Sequence, residues 1–509
     1  MANRRSRRPA MDLDGECKSS ELNRMELKPM ADLRFKGAPQ APTDPKGPTG
    51  QLAEWLQQLR LDAIPVDVKT RAKHLILDGL ACALVGARLP WSDTAVETIT
   101  RFEGSGDKTI IGWGRTASGP VACLLNGTFI QGFELDDFHP LGPLHSAAVV
   151  IPALLACAEE LGHVSGQQFL LGAIAGFEVG PRVGMALHGA QMLSRGWHSG
   201  SVFGTHAGAA AAGVLLELDA ARFEDAFGLA GTQSAGLMAA QFEAMCKRMH
   251  HGFSARNGLY SALLAAGGYT GIKRVFEREY GGFLSVFGEG HSPDASQIIA
   301  RLGDRWETMR IAVKPYAAMG ALHAPLDAIF GIMAQRALQS NEIERIDIDM
   351  SHAAYHHGWW QLERPLTPIA AQMNVAYAIA VAILDGAAMV QQFTPERINR
   401  DDVWALIPRI TAHHDPEFDK SGSAARTTRM TVLLKDGTKL QHLVEVARTI
   451  GKPLTNGEIV GKYHTLTDGI VAPQRQADIV DAVLKLETAE DTSHLTRLLA
   501  PAVGAAFKQ

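Results

Sequence analysis

The sequence predicts a mainly α-helical protein with a smaller α+β domain that acts as a lid. Stretches with apolar residues at helical spacing fill the first half of the chain, whereas alternating apolar and charged residues occur only after Val313. The chain has 509 residues, too many for one compact core, so two or three domains are expected. Its 50 glycines and sparse aromatic residues favour closely packed helices.

The helical domain is predicted over residues 51–315, after a polar tail and a Pro/Gly-rich linker at residues 1–50. Apolar residues recur at helical spacing in five segments, separated by short joints that contain glycine or histidine. These segments are residues 66–85, 120–133, 147–161, 167–187 and 206–218.

The lid is predicted over residues 316–462. Residues 343–350 alternate apolar and charged side chains, as a half-buried strand does. Two further alternating segments flank Asp436-Gly437, which predicts a hairpin with a type I′ turn. Residues 372–384 have helical spacing, and residues 463–509 form a predicted C-terminal helical segment that docks on the helical domain.

Charge and targeting signals narrow the possible partners and compartments. The formal net charge of −5 argues against a nucleic-acid or anionic-membrane partner. Five cysteines without a CxxC pair indicate a reducing, intracellular compartment. Residues 1–45 lack the apolar region of a signal peptide and contain acids that are rare in mitochondrial presequences, so we expect a cytoplasmic protein rather than a mitochondrial one.

The first of four candidate site segments contains three carboxylates, at Glu134, Asp136 and Asp137, followed by His139 and His145. Acid–base catalysis uses such titratable groups, and histidine is the one that titrates nearest neutrality. Alternatively, Asp136 or Asp137 caps the next helix and His139 is a surface residue. The segment lacks HExxH-type spacing, so no metal site is predicted.

The second segment places His198 between glycines, ahead of a helix rich in small residues. A histidine in this position can approach a ligand closely, and the helix start favours an anion. The alternative is a structural histidine. Nearby His206 falls within the following helix, and we interpret it as a core residue.

The third segment, residues 247–258, has five cationic or titratable residues between two apolar helical patterns. We interpret it as a glycine-flanked break that holds a multiply charged anion; the alternative is a solvated basic loop. The residues are Lys247, Arg248, His250, His251 and Arg256.

The fourth segment, residues 314–323, lies where the pattern changes from helical to mixed, at the predicted interdomain joint. Ligand sites favour such joints, which makes Lys314, Tyr316 and His323 candidate site residues. The alternative is a linker lysine on the surface.

Taken together and in this order, these segments resemble the MmgE/PrpD family. The resemblance covers about residues 52–499 and includes LILDGLACALVGARLPW (75–91), GWHSG (196–200), KRMHHGFSARNGL (247–259) and ERPLTPIAAQMNVAYAIA (363–380). Within the family, the chain is most similar to fungal cis-aconitate decarboxylases. The resemblance implies a large helical domain with a smaller α+β lid, a homodimer, and no metal or organic cofactor.

The resemblance also implies roles for individual residues. The family's active-site histidines fall on His145 and His198, and its carboxylate-binding lysines on Lys247 and Lys314. Its acidic residue falls on Glu134 or Asp137, although an aspartate is usual where this chain has Glu134. Animal decarboxylases have a histidine where this chain has Met319. Additional substrate-binding candidates are Arg256, His250, His323 and Tyr316.

The activity implied is decarboxylation of cis-aconitate, or of an alkylated analogue, to an itaconate-type product. A histidine pair also serves dehydration of 2-methylcitrate or an alkylcitrate, so the residue types alone do not choose between the reactions. Epimerisation of a small dicarboxylate is a third alternative. A non-enzymatic helical binding protein is a fourth.

Overall fold

The first half of the chain consists of helices that pack around one another, as the apolar spacing predicts. The computed structural model describes residues 33–290, 292–420 and 427–507. The helices of this half are α1 (Pro48–Gln58), α2 (Val66–Gly86), α3 (Pro90–Phe102), α4 (Gly119–Ile130), α5 (Ala147–Leu161), α6 (Gly166–Ala186), α7 (Gly189–Ser194), α8 (Ser199–Leu215), α9 (Ala220–Gly231), α10 (His250–Ala266), α11 (Phe283–Phe287) and α12 (Ser296–Ile299). A two-stranded antiparallel ribbon, β1 (Lys108–Ile110) and β2 (Arg115–Ala117), precedes α4.

Helix α8 lies at the centre of this half, in contact with α5, α6, α9 and α10. It consists mainly of small and apolar residues and is almost wholly buried, as expected for a helix surrounded by others. Gly258 permits the close crossing of α10 over α8, because a Cβ there would lie 2.6 Å from the carbonyl oxygen of Thr205. Helix α6 has the length and hydropathy of a membrane span, but 94% of that stretch is buried inside the protein.

The second half combines helices with a four-stranded mixed sheet. Its helices are α13 (His323–Gln335), α14 (His352–Gly358), α15 (Pro368–Met373), α16 (Val375–Asp385), α17 (Pro395–Ile398), α18 (Asp401–Leu406), α19 (Arg448–Gly451), α20 (Asn456–Thr467), α21 (Pro473–Leu484) and α22 (Ser493–Leu499). The strands β3 (Ile343–Met350), β4 (Ile410–His414), β5 (Thr428–Leu434) and β6 (Lys439–Val444) lie in the order β4-β3-β5-β6. Strands β3 and β4 are parallel, and the other pairs are antiparallel. The predicted fold class is confirmed.

Three local predictions need correction. The predicted helix at 372–384 is two helices, because the Asn374 side chain accepts the backbone N–H groups of Ala376 and Tyr377 and so starts α16. The hairpin is present, but its turn is not type I′: Gly437 has a φ of 87°, whereas Asp436 is not in the left-handed region. The predicted helix from His206 starts earlier, at Ser199.

The end of the chain packs on the helical half from α20 onwards, and this helix begins at Asn456, within the predicted lid and before residue 463, the predicted start of the C-terminal segment. Helices α20 and α21 pack against α2. Lys462 of α20 lies 2.7 Å from Asp78 of α2, and Lys73 lies 2.5 Å from Glu487. These contacts join the end of the chain to α2, which also packs against a 3₁₀ turn at Gln131–Phe133.

Candidate active site

Glu134 is the centre of a buried charged cluster. It follows a 3₁₀ turn at Gln131–Phe133 and has a φ of 56°, an uncommon backbone conformation for a residue with a side chain. Its carboxylate accepts hydrogen bonds from Lys247 Nζ and, at 2.8 Å, from Lys314 Nζ. Burial alone would raise the pKa of Glu134, but Lys247 and Lys314 hold this pKa well below its usual range. The carboxylate is therefore ionised at neutral pH.

The two lysines reach Glu134 from opposite halves of the chain. Lys247 lies in a 3₁₀ turn, Met245–Met249, that leads into α10, and Lys314 lies just before the lid. Both side chains are buried, and burial lowers the pKa of Lys247. Arg248 adds a third buried cation, with Nη1 3.8 Å from a Glu134 oxygen. Lys314 also lies 4.0 Å from Asp136, so three cations face two carboxylates, and this excess of positive charge suits the cluster to an anionic ligand.

His145 faces the same cavity and is paired with a carboxylate. Its Nδ1 lies 3.1 Å from Oδ2 of Asp136, close enough for an ion pair but without an aligned hydrogen bond. The side chain of His145 retains 14% exposure, whereas Asp136 is fully buried. A carboxylate this close to Nδ1 favours the tautomer of the neutral ring that carries its proton on Nδ1. The second ring nitrogen of His145, Nε2, is the one that does not face Asp136.

His198 is the residue that precedes α8, and its ring contacts a second imidazole. The Nδ1 atoms of His198 and His250 are 2.8 Å apart. Burial, followed by the charge of Lys247, holds the pKa of His198 well below its ordinary value. His198 is therefore a neutral imidazole near pH 7.

These side chains line one cavity of about 140 Å³ between the helical half and the lid. Its charged and titratable lining comprises Glu134, His145, His198, Lys247, Lys314 and His357. The remaining wall is largely apolar and includes Phe138, Leu193, Met238, Met319 and Met373. Such a cavity combines a few converging polar groups with an apolar enclosure, as small-molecule sites do.

The cationic segment at 247–258 is not the continuous break that its composition suggests. Only Met245–Met249 forms a turn, and α10 begins at His250. Lys247 faces the cavity, but Arg256 does not: it contacts Asn257 and lines a separate depression with Phe253. The prediction that Arg256 binds substrate at this cavity is therefore not supported by its position. His250 contacts His198 and does not line the cavity.

Asp137 caps a helix, which is the alternative to a catalytic role for this residue. Its two carboxylate oxygens accept the backbone N–H groups of Ser146 and Ala147, each at 2.9 Å, at the start of α5. Burial and the neighbouring Asp136 raise the pKa of Asp137 to about 8. Asp137 does not line the cavity, so of the two acidic candidates only Glu134 does.

Tyr316 and His323 are also engaged elsewhere. The Tyr316 hydroxyl donates to Asp327 at 2.8 Å. Both ring nitrogens of His323 lie within hydrogen-bond distance of protein oxygens, Thr449 Oγ1 at 2.6 Å and Ala318 O at 3.1 Å. Neither side chain lines the cavity. Their proximity in sequence to Lys314 does not bring them into the site.

Sequence reasoning missed several residues that build the site. The sequence offers Asp136 as one of three acid–base carboxylates or as a helix cap, but it does not predict the pairing of Asp136 with His145. The Gln372 side chain joins the lid to the helical half, because it accepts from Arg248 and donates to the Phe133 and Ala317 carbonyls. Gln372 lies within the ERPLTPIAAQ segment, which was noted only for its resemblance. In the described part of the chain, no group of three or more His, Cys, Asp or Glu residues is arranged to hold a metal ion.

Comparison with known proteins agrees with this architecture. The MmgE/PrpD N-terminal domain matches residues 50–296, and the MmgE/PrpD C-terminal domain matches residues 316–488. A cis-aconitate decarboxylase-like protein of Aspergillus oryzae is 44% identical over 89% of this chain and 97% of its own length. Cis-aconitate decarboxylase of Aspergillus terreus is 42% identical over 89% of this chain and 96% of its own. The human cis-aconitate decarboxylase is 27% identical over 89% and 95%.

This chain belongs to the MmgE/PrpD family.

Proposed function

We propose that this protein is a lyase that decarboxylates cis-aconitate to itaconate. The observation that carries the proposal is the meeting of Lys247 and Lys314 with His145 and His198 in one cavity. Relatives that are 42% identical over nearly their whole length carry the name of this activity. The excess of buried cations around Glu134 suits a substrate with several carboxylates.

The reaction breaks the bond between the methylene carbon of cis-aconitate and its carboxylate, which leaves as CO2. The electron pair of that bond forms a new double bond to the central carbon. The pair of the original double bond moves to the distal carbon, which then takes one proton. Negative charge develops beside a retained carboxylate, and a cation there stabilises it more in the transition state than in the substrate. We assign this stabilisation to Lys247 and Lys314.

We assign the proton transfer to His145. Asp136, 3.1 Å from Nδ1, occupies the Nδ1 side of the ring, so Nε2 is the nitrogen from which a proton is transferred to carbon. His198 is a poorer proton donor, because burial and Lys247 hold its pKa well below the ordinary value. A neutral His198 serves instead as a hydrogen-bonding group for a retained carboxylate.

The test is to incubate the purified protein separately with cis-aconitate and with 2-methylcitrate and to identify the products by NMR. We expect itaconate and CO2 from cis-aconitate. An unsaturated tricarboxylate formed from 2-methylcitrate, with no itaconate from cis-aconitate, would show dehydration instead. If neither compound reacts, an alkylated cis-aconitate is the next substrate to try.

The variant His145→Gln tests the assignment of the proton donor. Glutamine can hydrogen-bond but cannot donate a proton to carbon, so kcat should fall by roughly 10²- to 10⁴-fold. Circular dichroism and the thermal midpoint should remain close to those of the wild type. Retention of most of the activity would move the proton-donor role away from His145.

We also propose that the protein is a cytoplasmic homodimer. Apolar side chains that remain exposed on and after α10, including Tyr260, Leu264 and Tyr269, support an association surface. The buried cysteines Cys82, Cys123 and Cys157 are free thiols, which suits a reducing compartment. Light scattering after gel filtration tests the dimer, and cell fractionation with compartment markers tests the location.

A further inference from the structure

A group of histidines lies behind the cavity wall. The ring of His198 is 4.9 Å from that of His250 and 5.2 Å from that of His251, measured between centroids. His251 is fully buried and also contacts His145, whereas His250 retains 8% exposure. Only His250 makes a hydrogen bond to a cavity histidine within this group.

The His198–His250 contact fixes how many protons the two rings share. Their Nδ1 atoms are 2.8 Å apart, a distance that requires one proton between them: two lone pairs, or two N–H groups, would repel. Burial, followed by the charge of Lys247, lowers the pKa of His250 to about 4 and also lowers that of His198. Both rings are therefore neutral near pH 7, and each carries one proton.

Two arrangements satisfy this count. If His198 supplies the bridging proton, its Nε2 carries a lone pair, which would repel an anionic ligand in the cavity. If His250 supplies it, the single proton of His198 sits on Nε2 and can be donated to a carboxylate. The second arrangement leaves the lone pair of His250 on its own Nε2, and His250 is the more exposed member of the pair, at 8% against 3% for His198, so a lone pair without a protein partner costs less there.

We infer that His250 is a positioning residue: its Nδ1–H donates to Nδ1 of His198 and thereby holds His198 in the Nε2–H tautomer, a neutral hydrogen-bond donor to a substrate carboxylate. This inference rests on the proposed function, because it takes the ligand of the cavity to be a carboxylate. It does not depend on which carboxylate-containing substrate is turned over, or on whether CO2 or water leaves.

The tautomer can be read directly from ¹⁵N-histidine-labelled protein by long-range ¹H–¹⁵N NMR, without and with itaconate. The His198 signals are assigned from the spectrum of His198→Gln. We expect a protonated Nε2 and an unprotonated Nδ1 in both samples. A protonated Nδ1 on His198 in either sample would overturn the inference. The ligand-free spectrum decides the tautomer even if the protein does not turn over cis-aconitate, so the two proposals can fail separately.

A pair of isosteric variants tests the direction of the hydrogen bond. The amide of His250→Asn can donate to Nδ1 of His198, whereas the carboxylate of His250→Asp can only accept and draws the His198 proton to Nδ1. We expect the KM for cis-aconitate to rise about tenfold or more in the aspartate variant, and only about two- to threefold in the asparagine variant. A purely structural role predicts equal KM values for the two variants, and that result would sink the inference.

His251→Asn is the matched control for the spectra. It removes a neighbouring imidazole that touches the same ring but makes no hydrogen bond to it. The His198 tautomer should therefore be the same as in the wild type. A changed tautomer in this control would mean that packing, rather than the His250 hydrogen bond, sets the proton position.

Discussion

Among the described residues, two buried lysine–carboxylate clusters beside the predicted joint between the domains differ in the ratio of cations to carboxylates. In the cavity cluster, Lys247 and Lys314 both contact the carboxylate of Glu134, and Lys314 also lies 4.0 Å from Asp136. In the sealed cluster, Lys462 of α20 faces Asp78 of α2 at 2.7 Å and donates to the carbonyl of Leu135 at 2.6 Å. The first cluster faces an open cavity, whereas the second is enclosed by packed helices.

The difference separates a binding role from a structural one. In the sealed cluster, one cation is matched by one carboxylate, and Asp78 holds the pKa of Lys462 above its ordinary value despite burial. In the cavity cluster, burial lowers the pKa of Lys247, and the neighbouring cations Arg248 and Lys314 lower it further although Glu134 opposes them. An anion that enters the cavity would supply the missing negative charge. The unmatched cluster is therefore the one suited to a ligand.

The largest predicted effect on stability is that of Lys462→Met. It leaves the Asp78 carboxylate buried without a partner and removes the hydrogen bond to Leu135, so the free energy of unfolding should fall by about 3–5 kcal/mol. Urea denaturation followed by circular dichroism measures this change. The double variant Asp78→Asn/Lys462→Met removes both charges and should recover much of the loss. A loss below about 1 kcal/mol in the single variant would show that the pair behaves like a surface ion pair.

The cavity cluster should respond in activity more than in stability. Lys314→Met removes one charged contact to the substrate, so kcat/KM for cis-aconitate should fall roughly 10- to 100-fold. Lys73→Met is the matched control, because Lys73 pairs with Glu487 away from the cavity. Its kcat/KM should stay near the wild-type value. Full activity in Lys314→Met would contradict the assignment of this lysine to the site.

The long elements of the fold could be predicted because apolar spacing is a local signal. The bounds of α5 and β3 agree with the predicted segments 147–161 and 343–350. The break in helix 372–384 was missed because it depends on the side chain of Asn374, which looks unremarkable in an apolar run. Asp436-Gly437 predicted the hairpin, but the four residues between β5 and β6 adopt a different turn.

The site was less accessible to sequence reasoning, because its contacts join distant parts of the chain. Glu134 and Lys314 are 180 positions apart, and no local pattern links them. Family resemblance, rather than spacing, grouped His145 and His198 with the lysines. Arg256 and Tyr316 are site candidates only because they lie near Lys247 and Lys314 in the sequence. In the structure their side chains contact Asn257 and Asp327 instead, away from the cavity.

The comparison between cavity and sealed positions also applies to the histidines. For the sealed His206 it predicts a smaller effect on the free energy of unfolding, which depends on pH. His206 is sealed in the aromatic core, and burial lowers its pKa to about 3. In the unfolded chain it takes up a proton below about pH 6.5, but in the folded chain it does not until about pH 3. Because only the unfolded chain binds this proton, the free energy of unfolding decreases as pH falls from about 6.5 to about 3. The decrease due to His206 is up to about 1.4 kcal/mol per pH unit.

The variant His206→Leu tests this contribution, because leucine cannot take up a proton in either state. Between pH 7.5 and pH 5.0, the free energy of unfolding from urea denaturation should fall less in the variant than in the wild type. Equal losses in the two proteins would show that other groups account for the acid sensitivity. Turnover of cis-aconitate by the variant should remain, since His206 does not line the cavity.

The smallest predicted effect is that of Arg256→Gln. Arg256 is a partly buried cation whose guanidinium contacts Asn257 and the ring of Phe253. Because such a contact contributes at most about 1 kcal/mol, stability should change little, and kcat/KM should stay within about threefold of the wild type. Steady-state kinetics beside Lys314→Met provides the comparison. If KM rose as far in Arg256→Gln as in Lys314→Met, a cation outside the cavity cluster would contribute to substrate binding. The ratio of cations to carboxylates in the two lysine clusters would then no longer identify the site.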